Sequence, residues 1–121
     1  MTYNNQNIFA KILREEIPCN KIYEDDFVLS FYDINPQKKI HALVIPKGKY
    51  IDLDDFTTTA SNEEIVGLMK GITFVSKKLG ISSIGGQGYR ALANVSDYGG
   101  QEVPHLHFHL FGGEKVGKMV S

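Results

Sequence analysis

The stretch GGQEVPHLHFHLFGG, residues 99–113, carries three of the four histidines in this 121-residue chain, at alternate positions between two pairs of glycines. Side chains alternate between the two faces of an extended strand, so His105, His107 and His109 are expected to share one face. The interleaved residues are two leucines and a phenylalanine, which suit a core. The pattern therefore predicts a strand with one face on the core and a row of imidazoles on the other.

Four further strands are predicted from β-branched and aromatic residues that lie between turn signals. Two fall in KIYEDDFVLSFYDINP, residues 21–36, on either side of Asp25-Asp26. KIHALVIPK, residues 39–47, is a third and is ended by Pro46, while GYRALANV, residues 88–95, supplies the fourth. Because strands and helices do not alternate one by one, the order favours an α+β domain with a mainly antiparallel sheet of five strands.

Two helices are predicted, one short and one long. The short helix begins after the capping residue Asn7 and is expected to be closed by Pro18, whose ring disfavours helical backbone in the residue before it. The long helix runs from about Ser61, which can form a capping box with Glu64, to Leu79. Its apolar positions exceed one contact surface, so the helix is either deeply buried in a monomer or covered on its second side by a partner subunit.

Composition limits the classes of function. The chain is 42% hydrophobic and 22% charged with a formal net charge of −1, which is typical of one soluble folded domain, here residues 1–121. The absence of a basic block argues against DNA or long RNA as a ligand but not against a mononucleotide. A single cysteine, Cys19, the lack of a secretory signal pattern and the lack of a long apolar run indicate a cytoplasmic protein.

Four interpretations of the histidine row compete, and the first two are a surface and a metal site. An exposed polar face would more often use Thr, Lys, Glu or Ser than histidine. Two histidines of the row could bind Zn²⁺ together with His41. All three cannot share one ion, because His105 and His109 would lie roughly 13 Å apart at ~3.3 Å per residue, and a metal would leave one histidine without a role.

The third interpretation is nucleophilic catalysis at phosphorus, and the fourth is a pocket that binds the same ligand without turnover. Imidazole titrates at about pH 6.5, so a neutral ring is abundant at pH 7, and its attack on a phosphoryl group forms a covalent intermediate. The segment SDYGGQ, residues 96–101, offers glycine backbone and the uncharged donors of Ser96 and Gln101 to phosphate oxygens. Catalysis gives every histidine a role.

The same residues resemble the histidine-triad (HIT) superfamily, whose signature alternates histidine with apolar residues as HLHFHLF, residues 105–111, does. The resemblance extends to NIFAKILREEIP (7–18), SFYDINPQKKIHALVIPK (30–47) and YRALANVSDYGGQEVPHLHFHLFGG (89–113), and is nearest to the Hint branch. It implies a HIT-like fold with one long and one short helix. It also implies a homodimer that joins its sheets across the long helix and a neighbouring strand.

The resemblance implies a role for each histidine. His107 is expected to be the nucleophile that becomes nucleotidylylated, and His105 is expected to orient it. His105 is also expected to take part in a proton relay with His41, while His109 contacts the phosphate. No metal or other cofactor is implied.

A substrate pocket is implied as well. Asp33 matches the acid that binds ribose hydroxyls, although the residues alone predict only a turn there. Asn94 and Gln101 match contacts to the phosphate and to the leaving-group side. Six apolar residues match the base pocket, although by pattern alone they are core: Ile8, Phe9, Ile12, Ile17, Phe31 and Ile34.

Two departures from the family pattern affect the leaving group. Glu102 stands where some Hint proteins have a serine, and its carboxylate would repel an anionic leaving group or accept a hydrogen bond from an amine. The tail EKVGKMVS, residues 114–121, lacks the aromatic end that some Hint proteins place near the active site.

The sequence thus predicts a hydrolase that releases a nucleoside monophosphate from purine nucleoside 5′-phosphoramidates or acyl-adenylates through a covalent nucleotidyl-histidine. Two alternatives stay open, which are cleavage of dinucleoside polyphosphates and nucleotide binding by an interaction protein with little turnover. The expected partners are a purine nucleotide and a second copy of the chain, without a nucleic acid polymer or a membrane.

Overall fold

The structure, a computed structural model, describes residues 2–119 and contains five strands. They are β1 Lys21–Glu24, β2 Val28–Tyr32, β3 Ile40–Pro46, β4 Arg90–Leu92 and β5 Phe108–Gly112. The strands form one sheet in the order β1-β2-β3-β5-β4, and every neighbouring pair runs antiparallel. This architecture confirms the predicted five-stranded antiparallel sheet.

Three helices accompany the sheet, whereas two are predicted from the sequence. They are α1 Ile8–Leu13, α2 Leu53–Thr59 and α3 Asn62–Lys78. The additional helix, α2, carries one buried apolar residue, Phe56, so its sequence lacks the apolar periodicity from which a helix is predicted. Its start is set by Asp52, whose side chain accepts a hydrogen bond from the Asp55 N–H.

The ends of α1 agree with the prediction at one end only. Asn7 caps the helix as expected, because its side-chain oxygen accepts from the N–H of Ala10. The helix ends at Leu13 rather than next to Pro18, and Glu15 takes a left-handed φ of 63° just beyond it. The chain therefore leaves the helix through a backbone turn, and the proline is not what stops it.

Helix α3 begins as predicted and approaches the sheet closely. The capping box is present, since the Ser61 side chain accepts from the Glu64 N–H and the Glu64 carboxylate accepts from the Ser61 N–H. A Cβ at Gly67 would lie 2.4 Å from a ring carbon of Phe27, and one at Gly71 would lie 2.9 Å from a methyl of Val28. These two glycines let the helix rest directly on the side chains at the start of β2.

The core lies on both faces of the sheet, because alternate residues of β3 enter two different apolar clusters. Ala42 and Val44 belong to the cluster under α3, whereas Leu43 and Ile45 belong to the cluster that includes Phe9 of α1. Full burial of an aliphatic side chain stabilises a fold by about 1.5–3 kcal/mol. A strand buried on both faces is therefore the central element of the domain, and β3 holds that place.

The outer face of α3 is exposed. Val66, Met69 and Phe74 are 49%, 46% and 45% exposed, respectively, whereas Leu68 and Val75 of the same helix are fully buried. The interpretation of α3 as a deeply buried monomer helix is therefore wrong. Among residues 2–119, none of the helices combines the length and the apolarity that crossing a membrane requires.

Candidate active site

The histidine row lies on the α1 face of the sheet, and its apolar counterpart lies on the α3 face. His109 pairs across the ladder with Leu43 of the α1 cluster, while Leu106 and Leu110 are buried in the α3 cluster. This confirms the predicted division of faces. The strand is shorter than predicted, because β5 begins at Phe108 and the first two histidines of the row precede it.

A cavity of about 340 Å³ opens beside His107 and His109. Its walls come from α1, from the segment between β2 and β3, from β3 and from the loop that precedes β5. The residues that line it are Phe9, Asp33, Asn35, Gln37, Leu43, Asn94, Gly100, Glu102, Val103, His107 and His109. The cavity therefore gathers residues that are far apart in sequence around two histidines of the row.

The protonation of the His107 ring follows from its hydrogen bond. Its Nδ1 lies 2.8 Å from the carbonyl oxygen of His105, and a carbonyl can only accept, so Nδ1 carries the proton. Nε2 has no hydrogen-bond partner among the described residues. Every fully buried side-chain nitrogen or oxygen of those residues has a partner, so Nε2 is not fully buried and is open to the cavity that His107 lines. Burial lowers the pKa of His107, which keeps the ring neutral at pH 7. His107 thus presents a free lone pair.

His105 is wholly buried, and both nitrogens of its ring are occupied. Nε2 lies 2.9 Å from the Pro46 carbonyl and must donate to it, so Nδ1 is an acceptor for the Tyr3 hydroxyl 2.6 Å away. Burial lowers the pKa of His105 to about 4. The main-chain carbonyl of His105 accepts from His107, whereas the His105 ring bonds to Tyr3 and Pro46 and makes no direct hydrogen bond to His41, its expected partner in a proton relay.

His41 contacts His109 instead. The backbone N–H of Gln37 donates to His41 Nδ1 at 3.1 Å, so the proton of this ring is on Nε2. That nitrogen lies 2.9 Å from His109 Nδ1 and 3.4 Å from Asp33 Oδ2. His109 Nδ1 is then the acceptor, and His109 Nε2–H becomes the donor that this group offers to a ligand.

Burial is also the main cause of the low pKa values in this second group. Burial, together with the neighbouring His107 and His41 rings, lowers the pKa of His109 to about 4, although the Asp33 carboxylate opposes the shift. Burial lowers the pKa of His41 too, although the Asp33 carboxylate opposes that shift. All four histidines are therefore neutral near pH 7.

Asp33, His41 and His109 also qualify by distance as a metal-binding group, because their ligand atoms lie within 4.8 Å of one another. A metal would need the lone pair of His41 Nε2. The Gln37 N–H donates to His41 Nδ1, so the ring proton occupies Nε2 and no lone pair is left there. Moving that proton to Nδ1 would place the ring N–H against the Gln37 N–H. These residues therefore fit a hydrogen-bonded chain better than a metal site.

The polar residues implied for the substrate pocket divide into two groups. Asp33, Asn94 and Glu102 line the cavity, and Asp33 also accepts from the Asn35 N–H, so it forms the predicted turn as well. Gln101 does not face the cavity. Its amide donates to the carbonyls of residues 51 and 103 at 2.7 and 3.0 Å, and its oxygen accepts from the N–H of residue 96, so it braces the glycine loop.

The structure also separates the six apolar residues implied for a base pocket. Phe9 lines the cavity, and its ring meets the His107 ring edge to face at 4.9 Å. Ile12 and Ile17 line a neighbouring cavity of about 480 Å³, and Phe31 is buried in the core. The remaining two are exposed, by 42% and 86% respectively: Ile8 and Ile34.

Three participants in the site were missed by sequence reasoning, namely Tyr3, Gln37 and the Pro46 carbonyl. Gln37 and Pro46 act through the backbone, which any residue type supplies, so no sequence signal exists for them. Tyr3 is the one aromatic residue in a polar N-terminal segment, MTYNNQN. That isolation is a weak signal of a specific contact.

The C-terminal tail lies apart from these residues. Arg90 donates to the carbonyls of Gly117 and Lys118 at 2.8 and 3.1 Å and so holds the tail beside β4. Residues 120 and 121 of the tail lie outside the described residues.

Comparisons with known proteins agree with this geometry. The family model described as HIT domain matches residues 14–116. The chain is 48% identical to an uncharacterized 13.2 kDa HIT-like protein of Azospirillum brasilense, over 99% of this chain and 96% of that protein. It is 40% identical to the purine nucleoside phosphoramidase of Escherichia coli K12, over 96% and 94% of the two chains.

Solved structures show the same likeness. A HIT family hydrolase from Clostridium thermocellum superposes with a TM-score of 0.86 at 32% identity, over 98% of this chain and 99% of the other. A histidine triad protein from Clostridium difficile gives a TM-score of 0.82 at 37% identity, over 97% and 98%. The histidine row, the fold around it and these similarities over nearly the whole chain agree, and the chain is a member of the HIT domain family.

Proposed function

We propose that this chain is a cytoplasmic hydrolase of the Hint branch of its family. In this proposal it cleaves purine nucleoside 5′-phosphoramidates or acyl-adenylates and releases the nucleoside monophosphate through a covalent intermediate on His107. The observation that carries the proposal is the hydrogen bond from His107 Nδ1 to the His105 carbonyl, which leaves a lone pair on Nε2 open to the cavity. A neutral imidazole with a free Nε2 is a competent nucleophile at pH 7.

The reaction proceeds in two displacements at phosphorus. His107 Nε2 attacks, the bond from phosphorus to the leaving nitrogen or acyl oxygen breaks, and water at the open mouth of the cavity protonates a departing amine. The positive charge that develops on the His107 ring is stabilised by the His105 carbonyl, which accepts its Nδ1–H. His109 Nε2–H donates to a phosphate oxygen. Water then attacks phosphorus and gives its proton back to the solvent, while the bond from phosphorus to His107 Nε2 breaks and its electron pair returns to the ring.

The remaining cavity residues support this substrate class. Asp33 offers carboxylate oxygens to ribose hydroxyls, and Asn94 offers an uncharged amide to the phosphate. The Escherichia coli relative is named a purine nucleoside phosphoramidase, and the Clostridium thermocellum structure is named a HIT family hydrolase. Both names favour hydrolysis over binding without turnover.

The leaving group is expected to be an amine or an acyl group rather than a polyphosphate. Glu102 lines the same cavity as His107, which supports a position for its carboxylate on the side from which the leaving group is expected to depart. A negative charge there repels a nucleoside polyphosphate and accepts a hydrogen bond from an amine. Glu102→Gln is therefore expected to raise the rate on a dinucleoside polyphosphate relative to that on a phosphoramidate.

The proposal is tested by incubating the protein with an adenosine 5′-phosphoramidate and measuring AMP release. His107→Ala is expected to reduce the rate by about 10⁴-fold or more, because the covalent intermediate cannot form without the nucleophile. Release by the wild type should survive treatment with a chelator, and intact-protein mass at low temperature should show a nucleotidyl adduct on His107. Tight AMP binding without turnover would instead support the binding-protein alternative.

The exposed outer face of α3 is proposed to join two copies of the chain. Phe74 and Val66 line a shallow cavity of about 540 Å³ together with Phe27, and monomeric proteins seldom leave such apolar side chains grouped on one surface. The resemblance to the Hint branch supports a second copy of the chain as the partner that covers this surface. Light scattering should give the mass of a dimer, and Phe74→Glu should give the mass of a monomer with an unchanged circular dichroism spectrum.

A further inference from the structure

Tyr3 makes a specific contact with the buried end of the histidine row. Its hydroxyl lies 2.6 Å from His105 Nδ1, and the two rings meet edge to face with centroids 5.6 Å apart. The opposite nitrogen of His105 donates to the Pro46 carbonyl, so Nδ1 has a lone pair and the tyrosine is the donor. The hydroxyl is thus the group that satisfies a wholly buried acceptor.

The segment that carries Tyr3 is tied to the body of the domain. The Asn4 carbonyl accepts from both the backbone N–H and the side-chain amide of Asn7, at 3.2 and 2.7 Å. The Asn5 carbonyl accepts from the Arg14 guanidinium at 2.8 Å. Since Asn7 also caps α1, the start of the helix and the placement of the tyrosine depend on the same side chain.

The contact leads to the reacting atom by one further step. His105 holds its ring between Tyr3 and Pro46, and the carbonyl of the same residue accepts the Nδ1–H of His107. These two ring contacts hold residue 105 in place, so their loss would let the residue shift, move its carbonyl and turn the His107 lone pair away from phosphorus. Catalytic rings need this kind of outer support, because small misplacements of a reacting group reduce rates steeply.

We propose that Tyr3 is a positioning residue for catalysis, which acts through His105 to hold His107 in its reactive orientation. This inference rests on the proposed role of His107 as nucleophile. Tyr3 does not line the cavity, so it is not expected to touch the substrate. Its effect should therefore appear in kcat and not in KM.

The test replaces the hydroxyl alone, with Tyr3→Phe. AMP release from an adenosine 5′-phosphoramidate should show kcat lowered by about tenfold with KM changed by less than about twofold. The matched control is Tyr23→Phe, which also removes a tyrosine hydroxyl bonded to a side chain, here Asp25 Oδ2 at 2.8 Å, but far from the row. The control should change neither constant.

A second measurement reads the rings directly. Nitrogen-15 NMR of the histidine side chains should show, in the wild type, His105 protonated on Nε2 and His107 protonated on Nδ1. In Tyr3→Phe the His105 signals should shift and the His107 Nδ1 proton should exchange faster with solvent, whereas Tyr23→Phe should leave both unchanged.

The two measurements separate the possible failures. Unchanged kcat together with unchanged His105 and His107 signals in folded Tyr3→Phe would overturn the inference, as would a change of equal size in Tyr23→Phe. If the wild type releases no AMP, the proposed function fails, and the ring signals still decide whether Tyr3 positions His107.

Discussion

The two outer histidines of the row sit in opposite surroundings. His105 is wholly buried between Tyr3 and Pro46 and does not line the cavity, whereas His109 borders the cavity and receives its hydrogen bond from His41. Two histidines four residues apart thus end one hydrogen-bonded chain in the core and another at the cavity. Identity and spacing do not set the role of a histidine here, because the partner of each ring nitrogen does.

The cavity side of the comparison predicts the larger effect on rate. His109→Ala removes the Nε2–H that is expected to donate to the phosphate, and loss of one such donor lowers kcat by about 10²–10³-fold. Single-turnover AMP release measures this. Because the side chain borders a cavity, the free energy of unfolding should fall by less than about 1.5 kcal/mol. A variant with full activity would remove His109 from the phosphate site.

The core side predicts the larger effect on stability. His105→Leu leaves the Tyr3 hydroxyl without its acceptor and the Pro46 carbonyl without this donor, so the free energy of unfolding is expected to fall by about 2–4 kcal/mol. Urea denaturation of this variant beside His109→Ala checks the contrast. Equal losses in the two variants would show that the two surroundings do not differ in the way described.

Lowering the pH should destabilise the fold through the buried histidine of this comparison, His105. The pKa of His105 is lowered to about 4, while the unfolded chain takes up this proton at about pH 6.5, so the unfolded state gains protons first as the pH falls. The stability is complete above pH 6.5 and is lost on the way to pH 4, with a contribution from His105 on the order of 3 kcal/mol. Urea midpoints at pH 7 and pH 4.5 measure the loss, which should be smaller in His105→Leu.

The smallest expected effect concerns Asp33, which lines the cavity and lies beside the His41 ring. Asp33→Asn keeps the acceptor for the Asn35 N–H but loses the charge offered to ribose, so KM should rise by about tenfold with kcat little changed. A 2′,3′-dideoxyadenosine phosphoramidate serves as the control, because it lacks the hydroxyls. If the variant affects both substrates alike, Asp33 acts on the histidines and not on ribose.

Much of this arrangement could be predicted from local sequence rules. The capping box at Ser61 and the alternation of histidine with apolar residues each refer to one short segment, and the structure confirms both. The sheet followed from strands separated by clear turn signals. Patterns of this kind are readable because the physical cause and the residues that show it lie close together in the chain.

The rest depends on partners that are distant in sequence or on the backbone. The donor to His105 comes from residue 3, and the proton on His41 is placed by the N–H of Gln37, for which residue type is irrelevant. Gln101 has the chemistry of a phosphate ligand, yet three backbone groups occupy its amide. Residue type alone could not tell a brace from a ligand. The Asn7 cap was predictable, but its hold on the Tyr3 segment was not.

The absence of side chains at Gly67 and Gly71 has a consequence on the far side of the sheet. Any larger residue there would push α3 away from Phe27 and Val28 and loosen the support beneath Leu106 and Leu110, which alternate with the reactive imidazoles. Random mutagenesis of this chain should therefore find substitutions at two helix positions, both outside the cavity, that abolish the proposed activity.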